Sequence, residues 1–186
     1  MPEQRRGEWL HRGERTIYDS DWVSLHVADV LMPDGTQVDH HLVRMRRPAA
    51  GAIVTGRAGV LMIHRHRFIT DTWGWEIPAG GVDEGESTAD AAIRETREET
   101  GWEPAAVEPL CSFHPANGLL DQSFHIFVGR DASHLGPPTD TNEADRIEWV
   151  AVPDARQLLL DGGITDGLSF AAMSYWFASG GHVAAG

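Results

Sequence analysis

The chain has 186 residues, a length that suits one domain, or one domain with a small extension. Hydrophobic residues make up 41% and charged residues 23% of the sequence, a composition that is typical of a globular protein and argues against disorder. All 15 basic residues are arginine, so chemistry that depends on a Schiff-base lysine or a P-loop lysine is excluded.

The formal net charge of −13 is unevenly distributed along the chain. Residues 1–67 carry ten arginines and eight acids, whereas residues 68–186 carry five arginines and twenty acids. Nine of these acids lie between Glu76 and Glu103. Such a protein does not attract nucleic acid as a whole, so we expect no nucleic-acid partner. The dense run of carboxylates is either a solvated face or a place where cations bind.

Cysteine content and hydropathy bear on the cellular compartment. Cys111 is the single cysteine, so no disulfide can form within the chain and a reducing compartment is expected. No apolar stretch follows the first few residues, so no secretory signal is predicted. No apolar run approaches the roughly 18 residues that would indicate a membrane helix. We therefore expect a cytoplasmic protein without a membrane partner.

The N-terminal part of the chain is predicted to form antiparallel β-structure. Residues 1–15 are polar and are expected to be loose, whereas residues 22–32 are rich in β-formers. The Pro-Asp-Gly at residues 33–35 is turn chemistry, because proline presets φ and glycine supplies a positive φ. Residues 38–43 are predicted to be the returning strand. The pattern therefore predicts an antiparallel β-hairpin or small sheet within residues 16–47.

Two strands alone are only marginally stable in water, so this hairpin must pack on its own domain or on a second subunit. We place the domain boundary between an N-terminal β extension (residues 1–47) and a main domain (residues 48–186). Strands in the main domain are predicted at 52–55, 60–63, 75–77, 107–113, 122–128 and 146–151, and helices at 87–100, 153–160 and 167–178. This mixture predicts a layered α/β domain.

The helix predicted over residues 87–100 carries the most informative pattern. Ser87 begins a sequence that resembles a capping box, and Gly101 stands where the residue past a helix C-terminus is expected. At about 100° per residue, Glu95, Glu98 and Glu99 fall within about 100° of arc. The nearly opposite face is small and apolar and is expected to contact the core; it comprises Ala89, Ile93, Thr96 and Thr100.

Three carboxylates on one helix face are locally unfavourable, since like charges at i,i+3 or i,i+4 cost roughly 0.2–0.5 kcal/mol per pair. Glu98 and Glu99 also lie in the last turn, where the helix dipole favours cations. An exposed helix could tolerate this cost, and most charge runs are solvated faces. A divalent metal would explain the clustering better, because Mg²⁺ takes oxygen ligands and is usually held by one or two carboxylates plus substrate phosphates.

The spacing of the charged residues and glycines decides between these interpretations. Seven residues form the pattern Gly-x5-Glu-x7-Arg-Glu-x-x-Glu-Glu-x-Gly, namely Gly80, Glu86, Arg94, Glu95, Glu98, Glu99 and Gly101. The pattern resembles the Nudix box, the defining motif of the Nudix hydrolase family. The resemblance implies that the chain folds as an α/β/α sandwich. It also implies an enzyme that uses Mg²⁺ or Mn²⁺ to cleave a diphosphate linked to a nucleoside. Thr96 departs from the aliphatic residue usual at its position, which concerns packing rather than chemistry.

The resemblance also implies roles for individual residues. Glu95 and Glu99 correspond to metal ligands, and Glu98 to a third ligand or a base. The carbonyl of Ala79, just before Gly80, is a further candidate metal ligand. Metal ions that bridge these carboxylates to a diphosphate would reduce its repulsion of the attacking water and lower the pKa of that water.

Two residues support this predicted metal site. Arg94 is expected to orient the carboxylates. Glu86 is either a supplementary metal ligand or a simple salt-bridge partner, with Arg94 as the candidate partner, and both interpretations stay open at this point.

The wider sequence resembles one subgroup of the family, the ADP-ribose and nucleoside-diphosphate-sugar pyrophosphatases. The shared features are the N-terminal antiparallel segment, an Arg-x-Arg, and a Trp-Glu-Ile-Pro-Ala-Gly that leads into the box. The resemblance implies a homodimer with the base bound between subunits. It also implies a small-molecule nucleoside diphosphate substrate, whose candidate contacts are Arg67, Arg65, Trp75 and Glu76. Arg65 and Arg67 are two residues apart, so their side chains are expected to share one face of a strand.

Two segments after the box bear on substrate and catalysis. Asn117-Gly118 stands where ADP-ribose pyrophosphatases typically carry Pro-Gly, so other nucleoside diphosphate sugars stay open as substrates. The subgroup often takes its catalytic base from a mobile acidic loop, and residues 136–145 are acidic and rich in proline. Glu143 is the candidate base in this segment, the alternative being a plain surface loop.

The expected reaction is the metal-dependent hydrolysis of a nucleoside diphosphate sugar, with ADP-ribose, giving AMP and ribose 5-phosphate, as the first candidate. Glu98, Glu99 and Glu143 are the predicted catalytic residues. One alternative is a non-catalytic Nudix-fold sensor, which would not need a complete carboxylate set. Another is an isopentenyl diphosphate isomerase, which uses a cysteine ahead of the box, whereas Cys111 lies after it.

Overall fold

The computed structural model describes residues 3–140 and 144–181. Within these ranges the helices are α1 (Thr88–Thr100), α2 (Val152–Leu160) and α3 (Gly167–Ala178). The strands of the described residues are β1 (Gln4–Arg6), β2 (Trp9–Asp19), β3 (Val23–Leu31), β4 (Gln37–Met45), β5 (Ala49–Gly56), β6 (Gly59–Arg67), β7 (Thr72–Glu76), β8 (Ala79–Gly81), β9 (Trp102–Glu103), β10 (Ala106–Phe113), β11 (Phe124–Arg130), β12 (Ser133–His134) and β13 (Arg146–Val150). No helix in these ranges is long and apolar enough to cross a membrane.

The chain divides into two compact units. The first comprises the residues up to Pro48 together with Ala116–Gln122, and the second comprises Ala49–Pro115 and the residues from Ser123 onward. The predicted boundary after residue 47 lies one residue from the first of these junctions. The inclusion of residues 116–122 in the N-terminal unit is a tertiary feature, carried by the bridge between Val43 and Leu120.

The N-terminal unit is a four-stranded antiparallel sheet in the order β1-β2-β3-β4. The turn after β3 is closed by hydrogen bonds from the Met32 N–H to the Thr36 carbonyl and from the Gly35 N–H to the Met32 carbonyl, and Gly35 takes a positive φ of 87°. The expectation that residues 1–15 are loose is wrong, since β1 and most of β2 lie there. Polar side chains on these strands remain largely exposed while the backbone groups pair, so hydropathy was a poor guide to this segment.

The second unit is built on a mixed sheet in the order β10-β11-β5-β6-β13, with β7 on β6 and β8 on β5. β11 runs parallel to β5, and the other pairs are antiparallel. Alternate β5 residues point to opposite faces. Ile53 packs in the cluster with α2 and α3, while Ala52 and Val54 pack in the cluster with α1. This α/β/α layering confirms the predicted fold class.

Helix α1 begins and ends where its caps require. The Ser87 side chain accepts a hydrogen bond from the Asp90 N–H, and Gly101 ends the helix in the left-handed region with φ of 75°. Its buried face is only partly the one expected. Thr96 and Thr100 are buried as predicted, but Ala91 and Ala92 are buried in place of Ala89 and Ile93, which are half-buried.

The rotated buried face has a direct consequence for the carboxylates. Ala92 lies at about 60° on the wheel that sets Glu95 at 0°, which is close to Glu99 at about 40°. A helix that buries Ala92 therefore turns Glu99 inward as well. Glu99 is 5% exposed, so the expectation that the three carboxylates share a face opposite the core is wrong for this residue.

The segment between β7 and β8 is held against α3. Pro78 lies just after β7, which ends at Glu76. Between them, the buried N–H of Ile77 donates a hydrogen bond of 3.1 Å to the Ser169 hydroxyl. Ala79–Gly81 then pairs with β5. This path brings the segment that precedes the loop into α1 beside the buried face of that helix.

Candidate active site

Glu99 is the most deeply buried of the predicted metal ligands. Its Oε1 lies 2.5 Å from Nη2 of Arg65, and its Oε2 accepts a hydrogen bond of 2.9 Å from the N–H of Ala79. Burial raises the pKa of Glu99 to about 7, and the adjacent Arg65 guanidinium limits this rise. The carboxylate is thus fixed at both oxygens by groups from two other elements.

Arg65 reaches Glu99 from β6 and is itself only 3% exposed. Its Nε lies 3.6 Å from Oε2 of Glu76, so the guanidinium bridges carboxylates on β7 and α1. The structure turns this side chain, a predicted substrate contact, into the interior, where it contacts acidic side chains. These contacts do not test whether Arg65 also contacts substrate.

Arg67 does lie on the same face of β6 as Arg65, as the i,i+2 spacing predicts. It donates from Nε and Nη2 to the two oxygens of Glu76, at 2.9 and 2.5 Å, which raises the pKa of Arg67. Its side chain is 48% exposed, whereas that of Glu76 is 4% exposed. Of the two predicted arginines, Arg67 is therefore the one that a ligand can reach from solvent. Both carboxylate oxygens of Glu76 accept hydrogen bonds from Arg67 and hold its side chain in place.

Trp75 lies on the other face of the sheet. Its ring centroid is 5.1 Å from that of His64, and the Arg146 guanidinium lies 5.2 Å from the ring. Successive strand residues alternate between faces, so Trp75 and Glu76 cannot both face α1. At most one of these two side chains can therefore face the carboxylates of α1, and the predicted substrate contact of Trp75 stays a prediction.

Arg94 is the centre of the acidic cluster on α1. It donates to both oxygens of Glu86 at 2.9 Å, to Glu95 at 2.7 Å, to Glu98 at 2.9 Å and to the Gly81 carbonyl at 2.8 Å. Its hydrogen bonds lower the pKa of Glu86. The salt bridge that the sequence left open as one role of Glu86 is therefore present.

The remaining two carboxylates differ in their surroundings. The side chain of Glu95 is 15% exposed, and burial raises its pKa against the opposing hydrogen bond from Arg94. The side chain of Glu98 is 37% exposed and is the most accessible of the three. Buried and accessible carboxylates thus occur within a single turn of one helix.

Two glycines of the motif are required by close approaches. A Cβ at Gly80 would lie 2.3 Å from the Glu95 carboxylate. At Gly101 a Cβ would lie 2.0 Å from the Gly136 carbonyl oxygen, and the positive φ there also favours glycine. Gly80 therefore makes room for the Glu95 side chain, whereas Gly101 makes room for backbone.

The charges and donor atoms of this cluster fit a hard divalent cation. Five carboxylates and three guanidinium groups, those of Glu76, Glu86, Glu95, Glu98, Glu99, Arg65, Arg67 and Arg94, leave two negative charges. Among the described residues, no three His, Cys, Asp or Glu side chains form a ready-made metal cage. Mg²⁺ is usually bound by one or two carboxylates, waters and substrate phosphates, so these side chains alone would not complete its coordination.

The acidic loop after β12 meets the C-terminal end of α1. The N–H groups of Thr139 and Asp140 donate to the Glu98 carbonyl at 2.9 and 3.1 Å, and Leu135 donates to the Gly101 carbonyl. These bonds satisfy carbonyls that the end of a helix leaves without partners. The predicted base Glu143 lies outside the described residues, so its role stays a prediction.

Residues 45–171 match the family model described as the NUDIX domain. The chain belongs to the Nudix family. A CMP-5'-(N-acetyl-N-hydroxy-3-aminopropyl)phosphonate hydrolase from Streptomyces rubellomurinus is 42% identical over 154 residues, covering 83% of this chain and 75% of that protein. An ADP-ribose pyrophosphatase from Bacillus subtilis is 27% identical over 161 residues, covering 86% of this chain and 87% of that one.

A solved structure of an ADP compounds hydrolase shares the Nudix fold with a TM-score of 0.80. It is 18% identical and covers 91% of this chain and 95% of that chain, so this likeness concerns the fold alone. The family match and the hydrolase relatives make the chain a Nudix hydrolase. Nudix hydrolases generally use divalent metal ions, in keeping with the oxygen donors on α1.

Sequence reasoning missed three features of this Nudix hydrolase. The buried bridge made by Arg65 joins residues 34 positions apart, and no local pattern signals it. The hydrogen bond between the Ile77 N–H and the Ser169 hydroxyl joins residues 92 positions apart, and again no local pattern signals it. The contact of Thr139 with α1 could have been suspected, because the last carbonyls of any helix need donors.

Proposed function

We propose that this Nudix hydrolase cleaves the diphosphate linkage of a nucleoside diphosphate derivative in a metal-dependent reaction, with ADP-ribose as the first candidate substrate. The observation that carries the proposal is the position of Glu95, Glu98 and Glu99 within one turn of α1, with the exposed Arg67 as a candidate phosphate contact. ADP-ribose would give AMP and ribose 5-phosphate.

In this proposal Glu95 and Glu99 hold Mg²⁺ or Mn²⁺, Glu98 is a third ligand or the base, and the carbonyl of Ala79 is a further candidate ligand. A bound metal ion would neutralise part of the charge on the diphosphate and would lower the pKa of the attacking water. Arg67 binds a phosphate oxygen, as an arginine does well because its planar fork matches that group. Arg94 keeps the carboxylates of Glu95 and Glu98 in place through its own hydrogen bonds.

The chemical balance of the reaction is simple. One water oxygen forms a bond to phosphorus, the bridging P–O bond breaks, and the bridging oxygen leaves on the other phosphate. The water gives up a proton, which needs a base. Glu98 is the most exposed of the three carboxylates Glu95, Glu98 and Glu99 and is our candidate for this role within the described residues, with Glu143 the candidate from the acidic loop.

A second candidate substrate is favoured by one relative. The Streptomyces protein, at 42% identity, is named as a hydrolase of a CMP-linked phosphonate. Asn117-Gly118 also departs from the Pro-Gly that is typical of ADP-ribose pyrophosphatases. Cleavage of a cytidine nucleotide linked to a second phosphorus acid would use the same carboxylates and Arg67, and would differ in the recognition of the base.

We further propose that the protein acts as a homodimer in the cytoplasm and binds no nucleic acid. The support for a dimer is the group of large apolar side chains that the N-terminal unit exposes, namely Ile17 at 48%, Tyr18 at 57% and Trp22 at 75%. The support for the other two statements is the single Cys111 and the net charge of −13.

The decisive experiment is a turnover panel with Mg²⁺ and Mn²⁺ and with identification of the products. The panel contains ADP-ribose, other nucleoside diphosphate sugars and a CMP-linked phosphonate. AMP and ribose 5-phosphate from ADP-ribose would support the first candidate, while CMP from the phosphonate alone would favour the second. No turnover of any member with either metal would refute the proposed function.

A matched pair of variants shows whether turnover comes from this site. Glu98→Gln should lose most of the activity, because the side chain keeps its size but loses its charge. Glu108→Gln, an exposed position on β10, should keep the activity of the wild type. Equal activities of the two variants would place the chemistry elsewhere.

A further inference from the structure

Arg65 connects two strands of the sheet with the helix that carries the carboxylates. Its guanidinium lies 2.5 Å from Oε1 of Glu99 on α1 and 3.6 Å from Oε2 of Glu76 on β7. All three side chains are between 3% and 6% exposed. Breaking one of these contacts would leave a buried charge without its partner, which costs free energy. The cost keeps the three side chains in this one arrangement.

We infer that Arg65 is a positioning residue that fixes the Glu99 carboxylate for metal binding. The inference rests on the proposed function only in taking Glu99 as a metal ligand. Arg65 acts through Glu99 and does not itself contact substrate. Glu76 is the anchor that keeps Arg65 in place, and Arg67 in turn holds Glu76 through two hydrogen bonds.

The carboxylate of Glu99 is held at two points and still has capacity for a ligand. Oε1 is engaged by Arg65 and Oε2 by the N–H of Ala79. Two carboxylate oxygens offer about four lone-pair sites, so each oxygen can accept a further contact. A glutamate fixed in this way does not lose side-chain rotamer freedom when a cation binds, which favours binding.

Arginine suits this role better than lysine would. Its planar fork carries donors at separated positions and can face two carboxylates on different elements. A lysine at position 65 would keep the positive charge as a single point at the end of a flexible chain. The substitution Arg65→Lys therefore tests the bridge while the net charge beside Glu99 stays the same.

The test is a double-mutant cycle read out by Mn²⁺ binding without substrate, followed by electron paramagnetic resonance. It uses the wild type, Arg65→Lys, Glu99→Asp and the double variant, because aspartate keeps a carboxylate but draws it back from Arg65. Arg57→Lys, in the exposed turn between β5 and β6, is the matched control. Thermal unfolding of each protein verifies that it is folded.

Loss of a group that orients a metal ligand typically weakens metal binding 10–100-fold, so we expect Arg65→Lys to raise the Mn²⁺ dissociation constant about tenfold. In the Glu99→Asp background the same change should have an effect of less than about twofold, since contacting residues are coupled. At saturating Mn²⁺, kcat should fall in Arg65→Lys while KM stays close to that of the wild type, because Arg67 is intact.

Two outcomes would overturn the inference. One is an unchanged Mn²⁺ dissociation constant in Arg65→Lys. The other is an equal loss in both backgrounds, because Arg65 would then act by a route other than Glu99. If the wild type binds Mn²⁺ but hydrolyses no nucleotide, the proposed function fails and the cycle still decides the role of Arg65. If it binds no Mn²⁺, both fail.

Discussion

The hydroxyl of Ser169 on α3 accepts a hydrogen bond of 3.1 Å from the backbone N–H of Ile77, and both groups are buried. The bond fixes the chain one residue after Glu76 and two residues before Ala79. Through this contact, a helix on the far side of the sheet from α1 helps to position the segment that holds Glu99.

Replacement of Ser169 by alanine should destabilise the protein and disturb the site together. The Ile77 N–H would be buried without its partner, which typically costs about 1–3 kcal/mol. We expect a lower free energy of unfolding in urea and a fall in kcat. Ser174→Ala on the same helix is the control and should change neither quantity. Full stability of the Ser169→Ala protein would contradict this account.

Substitutions of two motif glycines should separate function from stability. In Gly80→Ala the new methyl group would meet the flexible end of Glu95, so we expect weakened Mn²⁺ binding with little change in melting temperature. In Gly101→Ala the methyl group would meet the Gly136 carbonyl at a positive φ, and such changes typically cost more than about 1 kcal/mol.

The glycine predictions are tested by thermal unfolding and metal titration on the same samples. Gly167→Ala is the control, since it begins α3 and has open space around its added Cβ. If Gly80→Ala were as destabilised as Gly101→Ala, the proposal that Gly80 makes room chiefly for Glu95 would fail.

Glu14 should make the stability of the protein depend on pH. Its side chain is 5% exposed and lies close to Arg44, His26 and His11. The hydrogen bond from Arg44 lowers the pKa of Glu14. A carboxyl whose pKa is lowered by folding contributes stability above its pKa in the unfolded chain, and this contribution is lost as the pH falls through the lowered value.

Glu14→Gln should therefore reduce the free energy of unfolding at pH 7, by roughly 1.5–3 kcal/mol for hydrogen bonds to a charged group. The difference from the wild type should shrink as the pH falls below 4.5, the ordinary pKa of a glutamate, and then through the lowered pKa of Glu14. Urea unfolding at several pH values measures this, with the exposed Glu8→Gln as control. A difference that does not vary with pH would argue against an ionised Glu14 as the cause.

Oligomeric state is tested by light scattering. A dimer would have twice the monomer mass of 20.4 kDa. Trp22→Ser should weaken the dimer, since the indole is 75% exposed and is the most exposed tryptophan among the described residues. Phe170→Ser, which removes a half-exposed ring from α3, is the control. A wild-type species of 20.4 kDa at all concentrations would contradict the proposed dimer.

Local patterns in the sequence predicted much of the main domain. The capping by Ser87 and Gly101 depends on hydrogen bonds within a few residues, so the bounds of α1 were foreseeable. Strands β5, β6 and β11 were recognisable because buried strands are short apolar runs bounded by turn residues. The spacing of the Nudix box identified the family for the same reason, since it lies almost entirely within one loop and one helix.

Tertiary structure decided which way the functional side chains face. Periodicity defines the arcs of a helix, but the packing partner selects the buried one, and burial of Ala92 brought Glu99 inward to meet Arg65. In the same way, adjacent residues Trp75 and Glu76 must point to opposite faces of the sheet, but only the position of α1 decides which of them faces the carboxylates. These choices depend on contacts between residues far apart in the chain. Such contacts produce no local periodic pattern of residue types, so the sequence alone does not predict them.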